Sequence, residues 1–158
     1  MMSFEEIIQR SLVCLNMTET EGPEVIESMI DAAVNEGLLP VEHQDTAVRV
    51  VLNRELSAST ALGEGVALPH GRVDCVSDIV CMFGIHPAGI EFGAADGSLT
   101  HVFVLMLVPL SMGGNHIQFL AALSRRLMEQ SVRNGLLAAK TRDDVLRIIL
   151  SNFEKGTF

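Results

Sequence analysis

Two uninterrupted apolar runs lie in the middle of the chain, Ile79-Val-Cys-Met-Phe-Gly-Ile85 and Val102-Phe-Val-Leu-Met-Leu-Val108. Each is as long as one strand, and neither alternates apolar with polar residues. Strands that are apolar throughout are covered on both faces, as in α/β proteins. Between the two runs, Pro87-Ala-Gly-Ile90 predicts a turn. The runs therefore predict the buried centre of a sheet with further layers on both sides.

The N-terminal third predicts one strand and two helices. Residues 11–17 include four consecutive apolar side chains and are a candidate strand. Pro23 is typical of the first turn of a helix, and Gly37 can end that helix in the left-handed conformation. A second helix is predicted over residues 41–55. The apolar face of the first helix comprises Val25, Ile26, Met29, Ile30, Ala33 and Val34.

The last third predicts further helices. Asn115 is placed to cap one of them, with Gln118 at the position of a capping-box partner, and Thr141 begins another. The side chains expected to face inward are Ile117, Leu120, Leu123 and Leu127, then Val145, Ile148 and Ile149. Helices before and after the strands predict an α/β fold. We expect a mixed, roughly five-stranded sheet flanked by helices on both faces, in a single domain over residues 1–158.

Composition argues against several classes of partner. The formal net charge is -9, and the 11 Lys and Arg residues are scattered, whereas nucleic-acid binding needs a basic stripe. The longest apolar runs fall far short of the roughly 20 residues that span a bilayer, so we expect no membrane insertion. Charged residues interrupt positions 1–15, so we expect no signal peptide there. We therefore expect a cytoplasmic protein whose three cysteines, none in a C-x-x-C pair, stay reduced.

The stretch Ala61-Leu-Gly-Glu-Gly-Val-Ala-Leu-Pro-His-Gly71 contains the strongest candidate for chemistry, His70. It follows a short apolar strand, Pro69 stiffens the approach to it, and Gly71 lets neighbouring groups come close. A neutral imidazole is a nucleophile towards phosphorus when one ring nitrogen is held as a donor and the other is free. For His70 considered alone, the alternative is a solvated loop histidine.

Two more residues could serve the same chemistry. His116 lies just inside the helix predicted to start at Asn115, where backbone N–H groups attract phosphate oxygens. Arg54, near the end of the second predicted helix, has a planar guanidinium that can grip a phosphoryl group. The alternatives are a surface histidine and a surface ion pair. Arg72, two residues after His70, fits either kind of role.

Three segments together resemble a known family: Arg54-Glu55, the stretch from Ala61 to Gly71, and His116-Ile-Gln-Phe-Leu-Ala-Ala-Leu123. They resemble the enzyme IIA domain of the bacterial phosphoenolpyruvate-dependent phosphotransferase system, in its fructose–mannitol and nitrogen-regulatory class. The similarity covers nearly the whole chain. Its most specific part is the Gly-x-Gly-Val-Ala-Leu-Pro-His-Gly run, because an isolated Gly-x-Gly would be a weak signal.

The resemblance implies a phosphotransferase that carries a phosphoryl group on His70 and needs no cofactor or metal. His116 would share the pocket and stabilise the phosphate, and Arg54 would assist. The donor would be the histidine-containing phosphocarrier protein HPr. The acceptor would be a IIB domain or protein, usually through a cysteine, in the course of carbohydrate uptake.

The two branches of the family imply different partners. A transport carrier must present its phosphohistidine to a IIB cysteine on a surface with an apolar centre. Met112, Ile117 and Phe92 are the candidates for that centre. A nitrogen-regulatory protein instead signals to a regulatory target by its phosphorylation state. The sequence favours a carrier that donates to IIB, and it leaves the sugar, the identity of the partner and the oligomeric state open.

Other functions are less well supported by the residues. A histidine metal-binding domain would use His70, His86, His101 and His116, but these form no His-x-x-x-His pair and no acidic cluster lies at ligand spacing. His43, His86 and His101 are expected at solvated positions on a helix or at strand ends. A non-catalytic binding module is disfavoured by the joint presence of the three site candidates. A serine hydrolase would need a Gly-x-Ser-x-Gly elbow, which the sequence lacks.

Overall fold

A computed structural model describes residues 2–151 of the chain. The strands in that part of the chain are β1 (Leu12–Cys14), β2 (Ala61–Gly63), β3 (Val66–Ala67), β4 (His70–Val73), β5 (Val80–Ile90) and β6 (Thr100–Pro109). The helices are α1 (Phe4–Gln9), α2 (Gly22–Asn35), α3 (Gln44–Ser57), α4 (His116–Leu127), α5 (Gln130–Ala138) and α6 (Arg142–Leu150). Short 3₁₀ turns at Val41–His43 and Leu110–Met112 precede α3 and α4.

The strands form one open, mixed sheet in the order β1-β5-β6-β3-β2. The central pair, β5 and β6, is antiparallel and contains the two apolar runs. Strands β3 and β4 follow one another along the other side of β6, and both run parallel to it. The predicted mixed sheet is confirmed, with six strands among the described residues where roughly five were expected.

Both faces of the sheet are covered by helices. Successive side chains of β6 point to opposite faces. Val104 and Met106 belong to an apolar cluster with residues of α1, α4, α5 and α6, whereas Phe103 and Leu105 belong to a second cluster with α2 and α3. The prediction from the uninterrupted apolar runs is therefore confirmed. Among the helices of residues 2–151, none is long and apolar enough to cross a membrane.

Two of the predicted helix ends form as expected. Gly37 follows α2 with a φ of +75°, and its N–H donates to the Val34 carbonyl at 3.0 Å. At the start of α6, Thr141 and Asp144 form a reciprocal capping box. Asn115 does precede α4, but its side chain makes no capping bond, so the capping box predicted there is not formed.

The turn predicted at residues 87–90 is wrong. These residues are the last part of β5, which continues until Ile90 pairs with Thr100 of β6. The pairing register shifts between Ile85 and Ile90, and Gly89 has a φ of +75°. Pro87 and Gly89 therefore lie in an irregular part of a strand, where the missing N–H of proline and the left-handed conformation of glycine are tolerated.

The inward face predicted for α4 is also wrong in part. Ile117 is 61% exposed, whereas Phe119 is fully buried. The buried face includes Arg126, whose guanidinium donates to the carbonyls of Ile148 and Ile149 at the end of α6 at 2.7 and 3.0 Å. A charged side chain can lie on the buried face because it satisfies these helix-terminal carbonyls.

Candidate active site

His70 is the first residue of β4, at an edge of the sheet. It lies opposite Met106 of β6, and the Pro69 carbonyl accepts a hydrogen bond from the Met106 N–H at 3.0 Å. Pro69 has a fixed φ and restricts the residue before it to extended backbone. The imidazole itself is half-buried. The backbone that carries His70 is thus held in place by its own sequence and by β6.

One hydrogen bond determines which ring nitrogen of His70 can react. Nδ1 lies 2.9 Å from the Leu68 carbonyl oxygen. Because a carbonyl oxygen only accepts, Nδ1 carries the proton and the lone pair is on Nε2. The pKa of His70 is lowered, mainly by burial. The charges of Arg54 and His116 lower the pKa further. The hydrogen bond to the Leu68 carbonyl and the charge of the Glu55 carboxylate raise the pKa of His70. The net effect keeps the ring neutral, and hence nucleophilic, at neutral pH.

Arg54 lies in the last turn of α3, and α3 packs directly on β4. Gly71 permits this contact, because a Cβ built on it would lie only 2.8 Å from Cγ1 of Val50 and 3.1 Å from Cγ2 of Val51. The Arg54 side chain is exposed, and its charge acts on His70. The predicted role of Gly71 in a close approach is confirmed, and the approach brings the end of α3 to the site.

His116 is the first residue of α4 and follows Gly113-Gly114-Asn115. Its Nδ1 donates to the Gly113 carbonyl at 3.1 Å, which leaves Nε2 free to face a ligand. Its charge also acts on His70. The side chain of Asn115 makes no bond to the N–H groups of the first turn. The structure therefore brings together His70, His116 and Arg54, which the sequence singled out separately.

Two other side chains border this site. Arg72 donates from Nη2 to the Leu110 carbonyl at 2.9 Å, so it ties β4 to the turn before α4. The Glu55 carboxylate accepts hydrogen bonds from the Thr60 N–H at 2.7 Å and from the Thr60 hydroxyl at 2.6 Å. Glu55 is not among the predicted site residues, although it stands beside Arg54 in a segment that resembles the family.

The remaining strand histidines lie outside the site. His86 is only 2% exposed; its Nε2 donates to the Glu19 carbonyl at 2.6 Å and its Nδ1 accepts from the Gly89 N–H at 2.9 Å. His101 is half-buried, with Nδ1 3.1 Å from the His86 carbonyl. The expected solvated position is therefore wrong for His86, because its ring completes the hydrogen bonding of the irregular end of β5. Within residues 2–151, no three His, Cys, Asp or Glu side chains are grouped so that they could hold a metal ion.

Exposed apolar side chains lie on either side of the start of α4. Leu110 is 54% exposed, Ile117 is 61% exposed, and Met112 is half-buried. Phe92 is different: it is 8% exposed and meets Phe103 edge-on, with ring centroids 5.1 Å apart. Met112 and Ile117 therefore remain candidates for a docking surface, whereas Phe92 belongs to the core.

Known proteins are similar to this chain in both sequence and fold. Residues 6–152 match the family model described as "Phosphoenolpyruvate-dependent sugar phosphotransferase system, EIIA 2". The fructose-specific EIIA component of Haloferax volcanii is 37% identical over 124 residues, which are 78% of this chain and 79% of that protein. The crystal structure of the nitrogen regulatory protein IIA-Ntr from Neisseria meningitidis is similar with a TM-score of 0.80 and 26% identity, over 92% of this chain and 97% of that chain.

A further similar structure contains a partner. It is a complex of the mannitol enzyme IIA with phosphorylated enzyme IIB from Escherichia coli. The TM-score is 0.72 and the identity 26%, over 87% of this chain and 92% of that chain. Because the family model matches nearly the whole chain, the protein belongs to the EIIA 2 family of the phosphoenolpyruvate-dependent sugar phosphotransferase system and is a phosphotransferase component of that system.

Proposed function

We propose that His70 accepts a phosphoryl group on Nε2 from HPr and passes it to a IIB component for carbohydrate uptake. One observation carries the proposal: the 2.9 Å bond between His70 Nδ1 and the Leu68 carbonyl leaves Nε2 as the nucleophile. The lowered pKa of His70 favours the same neutral form of the ring. The transfer needs no cofactor, because the phosphoryl group arrives already activated on its donor.

The proposed reaction has two steps with the same geometry. Nε2 of His70 attacks the phosphorus of the donor's phosphohistidine; a new N–P bond forms while the donor's N–P bond breaks and its electron pair returns to the donor imidazole. Nδ1 of His70 keeps its proton on the Leu68 carbonyl. In the second step a IIB cysteine thiolate attacks the same phosphorus, and the electron pair of the broken bond returns to Nε2. Such transfers depend mainly on positioning and on stabilising charge.

Arg54 and His116 are proposed to supply that stabilisation. The guanidinium of Arg54 can place two N–H groups on two phosphoryl oxygens. His116 already uses Nδ1 on the Gly113 carbonyl at 3.1 Å, so Nε2 is the atom that can face the phosphoryl oxygens. It donates to them when it carries a proton, which makes it a positively charged donor at the start of α4.

The proposed acceptor surface includes the exposed Leu110 and Ile117 and the half-buried Met112. A second candidate function rests on the likeness to a nitrogen regulatory IIA-Ntr, and it would use the phosphorylation state of His70 to signal to a regulatory target. In both cases we propose that the protein acts in the cytoplasm, where the phosphoenolpyruvate-dependent donor proteins of this system are expected.

Phosphoryl transfer from phosphoenolpyruvate through purified general phosphotransferase proteins tests the main proposal. The wild-type protein should gain one phosphoryl group by intact mass, and the adduct should be labile in mild acid and stable in base, as expected for a phosphoramidate. His70→Ala should gain none. His43→Ala, which removes a histidine at the start of α3, is the control and should be phosphorylated like the wild type. Uptake of one acid-labile group by His70→Ala would contradict the assignment.

A chase with IIB domains separates the two candidate functions. Phosphorylated protein should lose its phosphoryl group to at least one IIB domain from the same cell. If no IIB domain accepts the group, while binding to another protein changes with phosphorylation, the regulatory function is correct and the transport function is wrong.

A further inference from the structure

The selection of Nε2 depends on the position of one backbone carbonyl, that of Leu68. This residue is 5% exposed, and Pro69 after it restricts its backbone to the extended region. The bond from His70 Nδ1 to the Leu68 oxygen is 2.9 Å long, so a modest rotation of the Leu68 peptide would break it. Contacts that hold the backbone of Leu68 on either side of its Cα therefore help to keep the proton of His70 on Nδ1.

A short series of hydrogen bonds connects the backbone of Leu68 to Glu55 through the Leu68 N–H, which lies on the other side of the Leu68 Cα from the carbonyl that faces His70. The Leu68 N–H donates to the Thr60 carbonyl at 3.2 Å. The Thr60 N–H donates to Oε2 of Glu55 at 2.7 Å, and the Thr60 hydroxyl donates to Oε1 at 2.6 Å. Thr60 is 8% exposed, so both oxygens of the carboxylate hold one buried residue. Charge-assisted bonds of this length are among the stronger ones in proteins.

Glu55 and its neighbour Arg54 hold the same loop from the last turn of α3. Arg54 donates from Nη1 to the Ala58 carbonyl at 2.8 Å. Glu55 accepts a hydrogen bond from the N–H of Thr60, which is two residues after Ala58. The loop between α3 and β2 is therefore fixed through both a carbonyl and an N–H group. The Thr60 carbonyl, which accepts the hydrogen bond from the Leu68 N–H, belongs to this fixed loop.

We propose that Glu55 and Thr60 are positioning residues for phosphoryl transfer, because they hold the Leu68 carbonyl where it keeps the His70 proton on Nδ1. This inference rests on the proposed function of His70 as the phosphoryl acceptor. The two residues act through the backbone of Leu68 and need no contact with the phosphoryl group.

The test measures the tautomer of His70 in the unphosphorylated protein, together with the rate of phosphoryl uptake. Nitrogen–proton correlation spectra of protein labelled with ¹⁵N-histidine distinguish Nδ1–H from Nε2–H. The wild type should show Nδ1–H. Glu55→Ala should show a mixture of both tautomers and an uptake at least about tenfold slower, since a misplacement of about 1 Å can cost on the order of 10²-fold. Glu55→Gln should keep Nδ1–H, because its amide can accept from the Thr60 N–H and donate to the Thr60 hydroxyl.

A matched control removes a similar bond far from His70. The Asp144 carboxylate accepts from the Thr141 N–H at 3.2 Å at the start of α6. Asp144→Ala should therefore weaken a helix end, yet leave the His70 tautomer and the uptake rate unchanged. Thr60→Val keeps the N–H and removes the hydroxyl, and it should shift the tautomer in the same direction as Glu55→Ala. It serves as the second variant if Glu55→Ala does not fold.

Three results would overturn the inference. The first is a wild-type tautomer and uptake rate in the folded Glu55 and Thr60 variants. The second is an equal tautomer shift in Asp144→Ala. The third is slow uptake by Glu55→Gln with Nδ1–H retained, because Glu55 would then act through its charge. A failure of the proposed function gives a different result, since His70→Ala would still take up the phosphoryl group whatever the tautomer spectra show.

Discussion

Replacing Gly71 by Ala should slow phosphoryl transfer although Gly71 contributes no side chain to the site. The added Cβ would lie 2.8 Å from Cγ1 of Val50, 3.1 Å from Cγ2 of Val51 and 3.3 Å from the Val51 nitrogen. Because carbon atoms normally approach no closer than about 3.5 Å, Cγ1 of Val50 must move by roughly 0.7 Å, and since this β-branched side chain is stiff we expect α3 to move away from β4 with it. Overpacking of this kind lowers the free energy of unfolding by about 1–3 kcal/mol. Arg54 moves with α3, so we expect about a tenfold loss of rate, since a 1 Å misplacement can cost on the order of 10²-fold.

The assay is the rate of phosphoryl uptake, followed by rapid quenching and intact mass, with urea unfolding measured on the same samples. Adding Val50→Ala to Gly71→Ala removes the shortest contact and should restore most of the rate. Gly84→Ala is the control, because its Cβ would lie 2.7 Å from the Met17 sulfur and 3.0 Å from the Met29 sulfur, away from the contact between α3 and β4. A destabilised Gly71→Ala protein with a wild-type uptake rate would refute the reasoning, as would an equal loss of rate in Gly84→Ala.

Further outcomes are expected for Arg54, His116, His70 and Cys81. Arg54→Lys keeps the charge and loses the planar fork, so uptake should slow about tenfold, equivalent to one charged hydrogen bond of roughly 1.5 kcal/mol; an unchanged rate would show that only the charge matters. His116→Ala should keep the wild-type melting temperature and lose on the order of 10²-fold in transfer to IIB, and wild-type rates in both directions would contradict its role. Uptake should fall at acid pH with a midpoint below 6.5, because the pKa of His70 is lowered from that value and the protonated ring has no lone pair; a midpoint at or above 6.5 would contradict this. The same shift contributes stability that is complete above pH 6.5 and is lost as the pH falls through the lowered pKa. Burial raises the pKa of the Cys81 thiol to about 12, so alkylation of the native protein near pH 8, mapped by peptide mass, should leave Cys81 unmodified.

The parts of the fold that the sequence predicted have local signals. The centre of the sheet is marked by unbroken apolar runs, and the ends of α2 and α6 by Gly37 and Thr141. The parts that it missed depend on distant partners. Helix α1 has only six residues, too few for a clear periodicity, and its inner face is buried by residues far along the chain. The inward face of α4 includes Arg126 because the end of α6 supplies carbonyl acceptors.

The residues of the candidate site also fall into those that the sequence predicts and those that depend on distant partners. His70, His116 and Arg54 could be singled out because each residue type suits phosphate chemistry and lies at the end of a predicted element. Glu55 was not singled out although it belongs to a segment that resembles the family, because its bonds to Thr60 are contacts with a loop that has no recognisable pattern. Phe92 was predicted to lie at the docking surface, but it is buried in the core. Its packing against Phe103 is a tertiary contact, which the composition of the chain does not encode.

Phosphorylation of His70 would change the charge of the surface around His70 much more than its shape. The group adds about −1.5 to −2 charges to a chain whose formal net charge is already -9. Near His70 the balance is different, because the positive charge of Arg54 acts there. The apolar side chains of Leu110 and Ile117, beside the site, are exposed. A IIB component and a regulatory target could therefore dock on the same apolar surface and distinguish the two states by local charge. The two candidate functions then separate at the partner: a protein that presents a thiolate to the phosphorus removes the group, and one that presents only complementary charge detects it.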